Sequence, residues 1–99
     1  MTTTLPSQDA ALRLARVLVE TRLAACVQVA GPVRSVYRWQ GALEEAEEWY
    51  CHAKTTRARW AELEARIRAE HPYQVPEIVA VEIVEGSEGY LAWVDQETA

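Results

Sequence analysis

Leu12, Ala15 and Val19 recur at positions i, i+3 and i+7, with Leu14 and Leu18 beside them. That interval lines one side of an α-helix. Arg13, Arg16 and Glu20 repeat it on the other side, so an amphipathic helix is predicted from about residue 8 to 22. Ser7, directly after Pro6, can cap this helix by accepting from a free backbone N–H.

The period then changes. "LAACVQVAGPVRSVYRWQ", residues 23–40, is β-branched and aromatic and reads as one long strand. It is bent at Gly31-Pro32, where proline removes a ladder hydrogen bond. Gly41 turns the chain, and "EEWYCHAKTT", residues 47–56, returns as a strand to complete a long hairpin. Alternation there sends Trp49, Cys51 and Ala53 to one face and Tyr50, His52 and Lys54 to the other. Thr55 or Thr56 can cap a second helix, in which Trp60, Leu63 and Ile67 form the apolar stripe. Glu62 with Arg66, and Glu64 with Arg68, stand at i,i+4 on its surface, each pair worth roughly 0.2–0.5 kcal/mol.

His71-Pro72 ends that helix, because proline pushes the preceding residue out of the helical region. The segment "HPYQVPEI" is therefore a stiff corner carrying an imidazole (His71), a phenol (Tyr73) and a carboxylate (Glu77). "EIVAVEIVEG", residues 77–86, reads as a last strand, and "EGYLAWVDQ" as a short terminal helix. With a weak strand ahead of Pro6, the order is strand, helix, strand, strand, helix, strand and a short helix. That is an α+β, ferredoxin-like split βαβ arrangement with both helices on one sheet face. The other face, bearing Tyr50 and His52, needs a cover that another subunit can supply.

Composition narrows the partners. A chain of 99 residues makes a single domain, residues 1–99, and one this small gains from oligomerisation. It has no Phe but four Trp and four Tyr, so Leu, Val, Ile and Ala must supply most of the core. A net charge of −5 argues against a nucleic-acid backbone as partner. No apolar run approaches the ~20 residues of a membrane span, and the first ten residues lack the pattern of a signal peptide. Cys26 and Cys51 form neither a disulfide framework nor a zinc pattern, and a reducing cytoplasm is the expected compartment.

Candidate chemistry is sparse. Cys51 and His52 are adjacent in a strand and point to opposite faces, so they cannot chelate one ion, and Cys51 reads as a small core residue. The acidic run "EEAEE", residues 44–48, reads as edge protection and solvation, although it could attract cations. Lys54 is the one lysine among nine arginines, either an ordinary surface residue or an ammonium placed where a guanidinium fork would not serve. His71 suits the C-terminal end of a helix through the dipole and bare carbonyls, and a metal role would require Glu70, Tyr73 or Glu77 to converge on it. No serine sits in a nucleophile elbow and there is no glycine-rich phosphate loop, so no enzymatic activity is expected.

The segments "RLAACVQV", "SVYRWQG", "AKTT", "HPYQVPEI" and "YLAW" occur in an order and at spacings that resemble the CutA family of divalent-ion tolerance proteins. The resemblance spans nearly the whole chain from Pro6. It implies a ferredoxin-like subunit in a compact homotrimer, similar to the trimeric PII signalling proteins, with the hairpins packed between subunits. It implies a role in tolerance of copper and other divalent cations, with a divalent metal, Cu²⁺ first, as the expected bound ion. Carried onto this chain, the family's shared polar and aromatic positions are Trp39, Lys54, His71, Tyr73, Glu77, Tyr90 and Trp93, gathered at clefts between subunits. Some members carry a cysteine near the end of the first strand and a tandem His-His before the Pro-Tyr. Thr3 and Glu70 stand at those positions here, so His71 with Glu70 is the remaining metal pair. The alternative is a PII-like signalling or small-molecule-binding trimer, with an anionic ligand held by Lys54, Tyr73 and Trp93.

Overall fold

The computed structural model describes every residue from Met1 to Ala99. Its elements are β1 (Thr2–Leu5), α1 (Gln8–Glu20), β2 (Cys26–Trp39), β3 (Ala42–Lys54), α2 (Trp60–Glu70) and α3 (Glu88–Glu97), with a 3₁₀ turn at Arg57–Arg59 ahead of α2. The three strands form one open antiparallel sheet in the order β1-β3-β2. The predicted α+β architecture and the order of its helices are present.

Local chemistry explains the boundaries. Ser7 caps α1 as its position suggests, its Oγ accepting from the Ala10 N–H at 3.1 Å. The β2–β3 hairpin closes through Gln40 and Gly41, both at positive φ (49° and 82°), as a two-residue type I′ loop requires. The bend expected at Gly31-Pro32 is a register shift between Ala30 and Val33. A side chain at Gly31 would bring its Cβ to 2.6 Å from the Trp49 ring, so the close approach of the two strands there needs glycine.

Apolar residues of α1, α2, β1 and β3 meet on one side of the sheet, around Leu5, Leu14, Leu18, Cys51, Leu63 and Ile67. Trp49 and Ala53 fall on this side and Tyr50 and His52 do not, which is the alternation read from the sequence. On the far side the Tyr50 and His52 rings stack with centroids 5.0 Å apart.

Three expectations need correction. Neither threonine caps the second helix through its side chain: Thr55 Oγ1 donates to the Leu23 carbonyl at 2.6 Å, and Thr56 offers only its backbone carbonyl, to the Arg59 N–H at 3.1 Å. The Glu62–Arg66 pair is not made, because the 3₁₀ turn brings Arg59 within 3.2 Å of Glu62 while Arg66 reaches on to Glu70 at 3.0 Å. Glu64 and Arg68 do pair, at 3.0 Å.

The third correction matters most. Residues 77–86 form no ladder within the chain, and the only joint is at Thr2 and Val79, which exchange backbone hydrogen bonds of 2.8 and 3.1 Å. In that antiparallel register the next bonded pair would use the Thr4 carbonyl, which instead accepts from the His71 ring at 2.8 Å. In the other direction the register carries Val81 and its successors past Met1, where β1 offers nothing to pair with. The segment lies at the β1 edge, where a fourth strand of a split βαβ sheet belongs, but unpaired along most of its length.

Candidate functional site

The corner after α2 is built around one imidazole. His71 leaves the helix with extended backbone (φ −79°, ψ 135°) while its N–H still reaches the Ile67 carbonyl at 2.9 Å. Its ring is held at both nitrogens, Nε2 on the Thr4 carbonyl at 2.8 Å and Nδ1 on the Tyr73 backbone N–H at 3.1 Å. A backbone amide can only donate, so Nδ1 presents its lone pair and the proton sits on Nε2, donated to Thr4. Burial lowers the pKa of this ring, partly opposed by the Thr4 hydrogen bond and the negative charge of Glu48. His71 is thereby a neutral brace tying the corner to β1.

Tyr73 follows from the same geometry. Its ring leans on His71, centroids 4.8 Å apart, and its hydroxyl donates to Glu48 Oε2 at 2.7 Å. Burial raises the pKa of this phenol, and the bond to Glu48 adds to the effect. Glu48 itself is only 8% exposed and takes part in no ion pair. It belongs to the acidic run that reads as solvated charge in the sequence, so this site residue was missed. Alternation does place it on the Tyr50 face, but its burial arises only when residues 72–77 fold across the hairpin, and no local pattern signals that.

Between the hairpin and the corner lies a groove of about 860 Å³, lined by Trp39, Tyr73 and Glu77 together with Arg34, Tyr37, Glu48 and Tyr50. The remaining expected site residues are elsewhere. Lys54 stands six positions further along β3 than Glu48, roughly 20 Å away at the strand rise of ~3.4 Å per residue. Its ammonium donates to the Gln28 side-chain carbonyl, and it borders a second groove of about 880 Å³ with Arg57, Trp60 and Glu82. Arg57 in turn pairs with Glu82. Near that end the Tyr90 and Trp93 rings lie 5.6 Å apart, and Tyr90 Oη is 3.2 Å from Cys26 Sγ, a bond that raises the tyrosine pKa. Within the chain, then, the seven positions expected from the resemblance form two groups: Trp39, His71, Tyr73 and Glu77 near the corner, and Lys54, Tyr90 and Trp93 towards the opposite end of the sheet.

The family profile described as CutA1 divalent ion tolerance protein matches residues 1–97. The chain belongs to the CutA family. The divalent-cation tolerance protein CutA of Thermus thermophilus is 46% identical over 96% of this chain and 92% of its own length. A solved structure of the divalent cation tolerance protein (Cut A1) from Thermus thermophilus superposes with a TM-score of 0.96 at 45% identity, covering 99% of this chain and 95% of that one. Protein CutA of Mus musculus is 39% identical over 96% of this chain, which spans 54% of the mouse protein.

The expectation of a bound copper ion can be set against the residues present. Copper favours imidazole and thiolate donors. Both nitrogens of His71 are engaged, and Glu70 is paired with Arg66 at 3.0 Å. The buried Cys51 thiol, its pKa pushed up to about 11 by burial, sits 3.4 Å from the Ala11 carbonyl inside the core. Within the chain no three His, Cys, Asp or Glu side chains converge. The His71–Glu70 pair as arranged in the chain therefore does not fit a copper ion.

Proposed function

We propose that this CutA chain serves divalent-cation tolerance as a cytoplasmic homotrimer that binds a small ligand in its grooves, and that it does not chelate copper on His71 and Glu70. The observation that carries this reading is the His71 ring, held by Thr4 on one side and Tyr73 on the other. Loading a metal there would break one of those bonds, and recruiting Glu70 would also break its pair with Arg66. Burial, which keeps the ring neutral, serves a brace as well as it would serve a ligand.

Support for assembly comes from unfinished surfaces of opposite character. Residues 75–84 expose Val75, Val79, Val81, Ile83 and Val84, and the segment around them carries Glu77, Glu82 and Glu85. The outer edge of β2 has no partner in the sheet and carries Arg34 and Arg38 around an exposed Val36. An unpaired acidic segment and an unpaired basic edge suit strand addition between copies, and a head-to-tail contact of that kind closes into a ring. The two cysteines are unpaired, in keeping with a reducing compartment, and no helix is long and apolar enough to cross a membrane.

The test is calorimetric titration of Cu²⁺ into the metal-free protein at neutral pH, beside His71→Gln, with the solution mass measured by light scattering. The expected results are a mass three times the 11.2 kDa chain and Cu²⁺ uptake that the substitution leaves unchanged. Stoichiometric uptake that disappears with His71→Gln would make the imidazole a ligand and overturn the reading, as would a monomeric mass.

A further inference from the structure

Residues 72–78 hang between two anchors on β1. At one end the His71 ring is bonded to the Thr4 carbonyl, and at the other Val79 exchanges backbone bonds with Thr2. Between these anchors the backbone makes one hydrogen bond within the chain, from the Tyr73 N–H to Nδ1 of His71 at 3.1 Å. The Tyr73 ring leans on the same imidazole while its hydroxyl reaches Glu48. The set of the corner therefore depends on one lone pair. An imidazolium carries a proton on both nitrogens and accepts nothing, so a proton on Nδ1 and the Tyr73 bond exclude each other. The Thr4 bond, donated by Nε2, survives that proton.

We propose that His71 is a proton-operated latch. Neutral, it fixes the 72–78 corner; a proton taken from solvent onto Nδ1 releases the Tyr73 N–H and lets the corner open while the ring stays on Thr4. The ring is half-buried at the β1 edge, so solvent reaches it. Burial lowers its pKa, and outweighs the Thr4 hydrogen bond and the charge of Glu48 on β3, which both favour the imidazolium. The carbonyl end of α2, which His71 caps, favours it as well. Glu70, the last residue of α2, is engaged by Arg66, and β1 presents only the uncharged Thr4 carbonyl. Tyr73 is neutral, its pKa raised by burial and by the bond to Glu48. The latched state thus holds fewer protons than the open one, in which the ring returns toward the ordinary value of about 6.5. The hold is complete above that value and is lost as the pH falls through the lower value of the latched ring. A neighbouring copy can add contacts to the corner, but it cannot return a lone pair to a protonated Nδ1. The latch therefore operates in the single chain and in an assembly alike.

Titration of the full-length protein by NMR from about pH 8 to about pH 5 tests this. The His71 ring nitrogens and the Tyr73 amide are expected to share one midpoint below about 6.5, with the ring protonated on Nε2 alone above it. Amide exchange, corrected for its intrinsic dependence on pH, is expected to show the protection of Tyr73 falling at least tenfold across that midpoint. Val79, bonded to Thr2, is expected to keep its protection. His71→Asn places an amide oxygen close to where Nδ1 stands and cannot titrate, so its Tyr73 amide is expected to stay protected throughout the range. The wild-type curves decide the outcome even if that variant is unstable. A ring that stays neutral to about pH 5, or a Tyr73 amide that does not follow the ring, would make His71 a fixed brace and overturn the latch. Loss of protection at Val79 and along α1 at the same midpoint would be acid unfolding of the whole chain, and would overturn it too. The same midpoint in His71→Asn would assign the proton to another group.

Discussion

On the helix side of the sheet Leu5, Leu18, Cys51, Leu63 and Ile67 are closed off from water, none more than 2% exposed, whereas Val81 and Val84 on the 77–86 segment are 84% and 87% exposed. The two regions have similar composition. Both are stretches of aliphatic residues broken by charged ones. The difference lies in what each run can find within its own chain. The stripes of α1 and α2 meet the inward face of β3, so local periodicity is rewarded by packing nearby. The backbone of the 77–86 segment pairs only with Thr2 before the register runs out, and only Ile78 of its side chains packs against the core. One region is a finished core and the other is left open to solvent within the chain.

Val81→Asp breaks the second region. In an isolated subunit this exposed position should tolerate a charge within about 0.5 kcal/mol. In a trimer built on this segment, each of the three copies would have to bury a carboxylate against apolar surface, at several kcal/mol apiece. The expected outcome is loss of assembly, read by light scattering as a fall in mass to that of one chain, with the helical circular dichroism kept. A trimer that persists at micromolar concentration would remove the segment from the interface.

Leu63→Ala breaks the first region instead. Leu63 is fully buried in α2 against the core cluster. Truncation there is expected to cost roughly 2–5 kcal/mol, the transfer term plus the cavity left behind. Urea unfolding at a fixed protein concentration measures it, since mass action couples the stability of any oligomer to concentration. A cost below about 1 kcal/mol would mean that the helix layer adds less than its burial indicates.

The same contrast explains what could be read without coordinates. Helix α1, its Ser7 cap, the hairpin and the facing of Trp49, Cys51 and Ala53 were all legible, because each depends on residues within a turn or a strand of one another. The last strand was not, although "EIVAVEIVEG" has the right composition, because a strand also needs a partner and composition does not supply one. The candidate site divides in the same way. His71 and Tyr73 were legible as a rigid corner. Glu48 was hidden in an acidic run that looks solvated, and the separation of Lys54, Tyr90 and Trp93 from the Tyr73 groove follows from strand register, which the motifs do not encode.

Thr3 offers the smallest and most local sharpening. It sits on β1 opposite Cys51, fully buried, and its Oγ1 has no hydrogen-bond partner. A buried hydroxyl left unpaired forfeits its hydration without return, at about 1–3 kcal/mol. An apolar site suits a methyl group or a thiol better than a hydroxyl. Valine keeps the branched shape that a strand favours and replaces the hydroxyl with a methyl group. Thr3→Val is therefore expected to raise stability by about 1 kcal/mol, seen as a higher urea midpoint with an unchanged slope. The sign is the informative part. Stabilisation would mean that even the finished core keeps one flaw at its edge, beside the joint where Thr2 meets Val79. A loss of stability would mean that the hydroxyl has a partner in the assembled protein, and that the boundary between the finished and unfinished regions runs through β1.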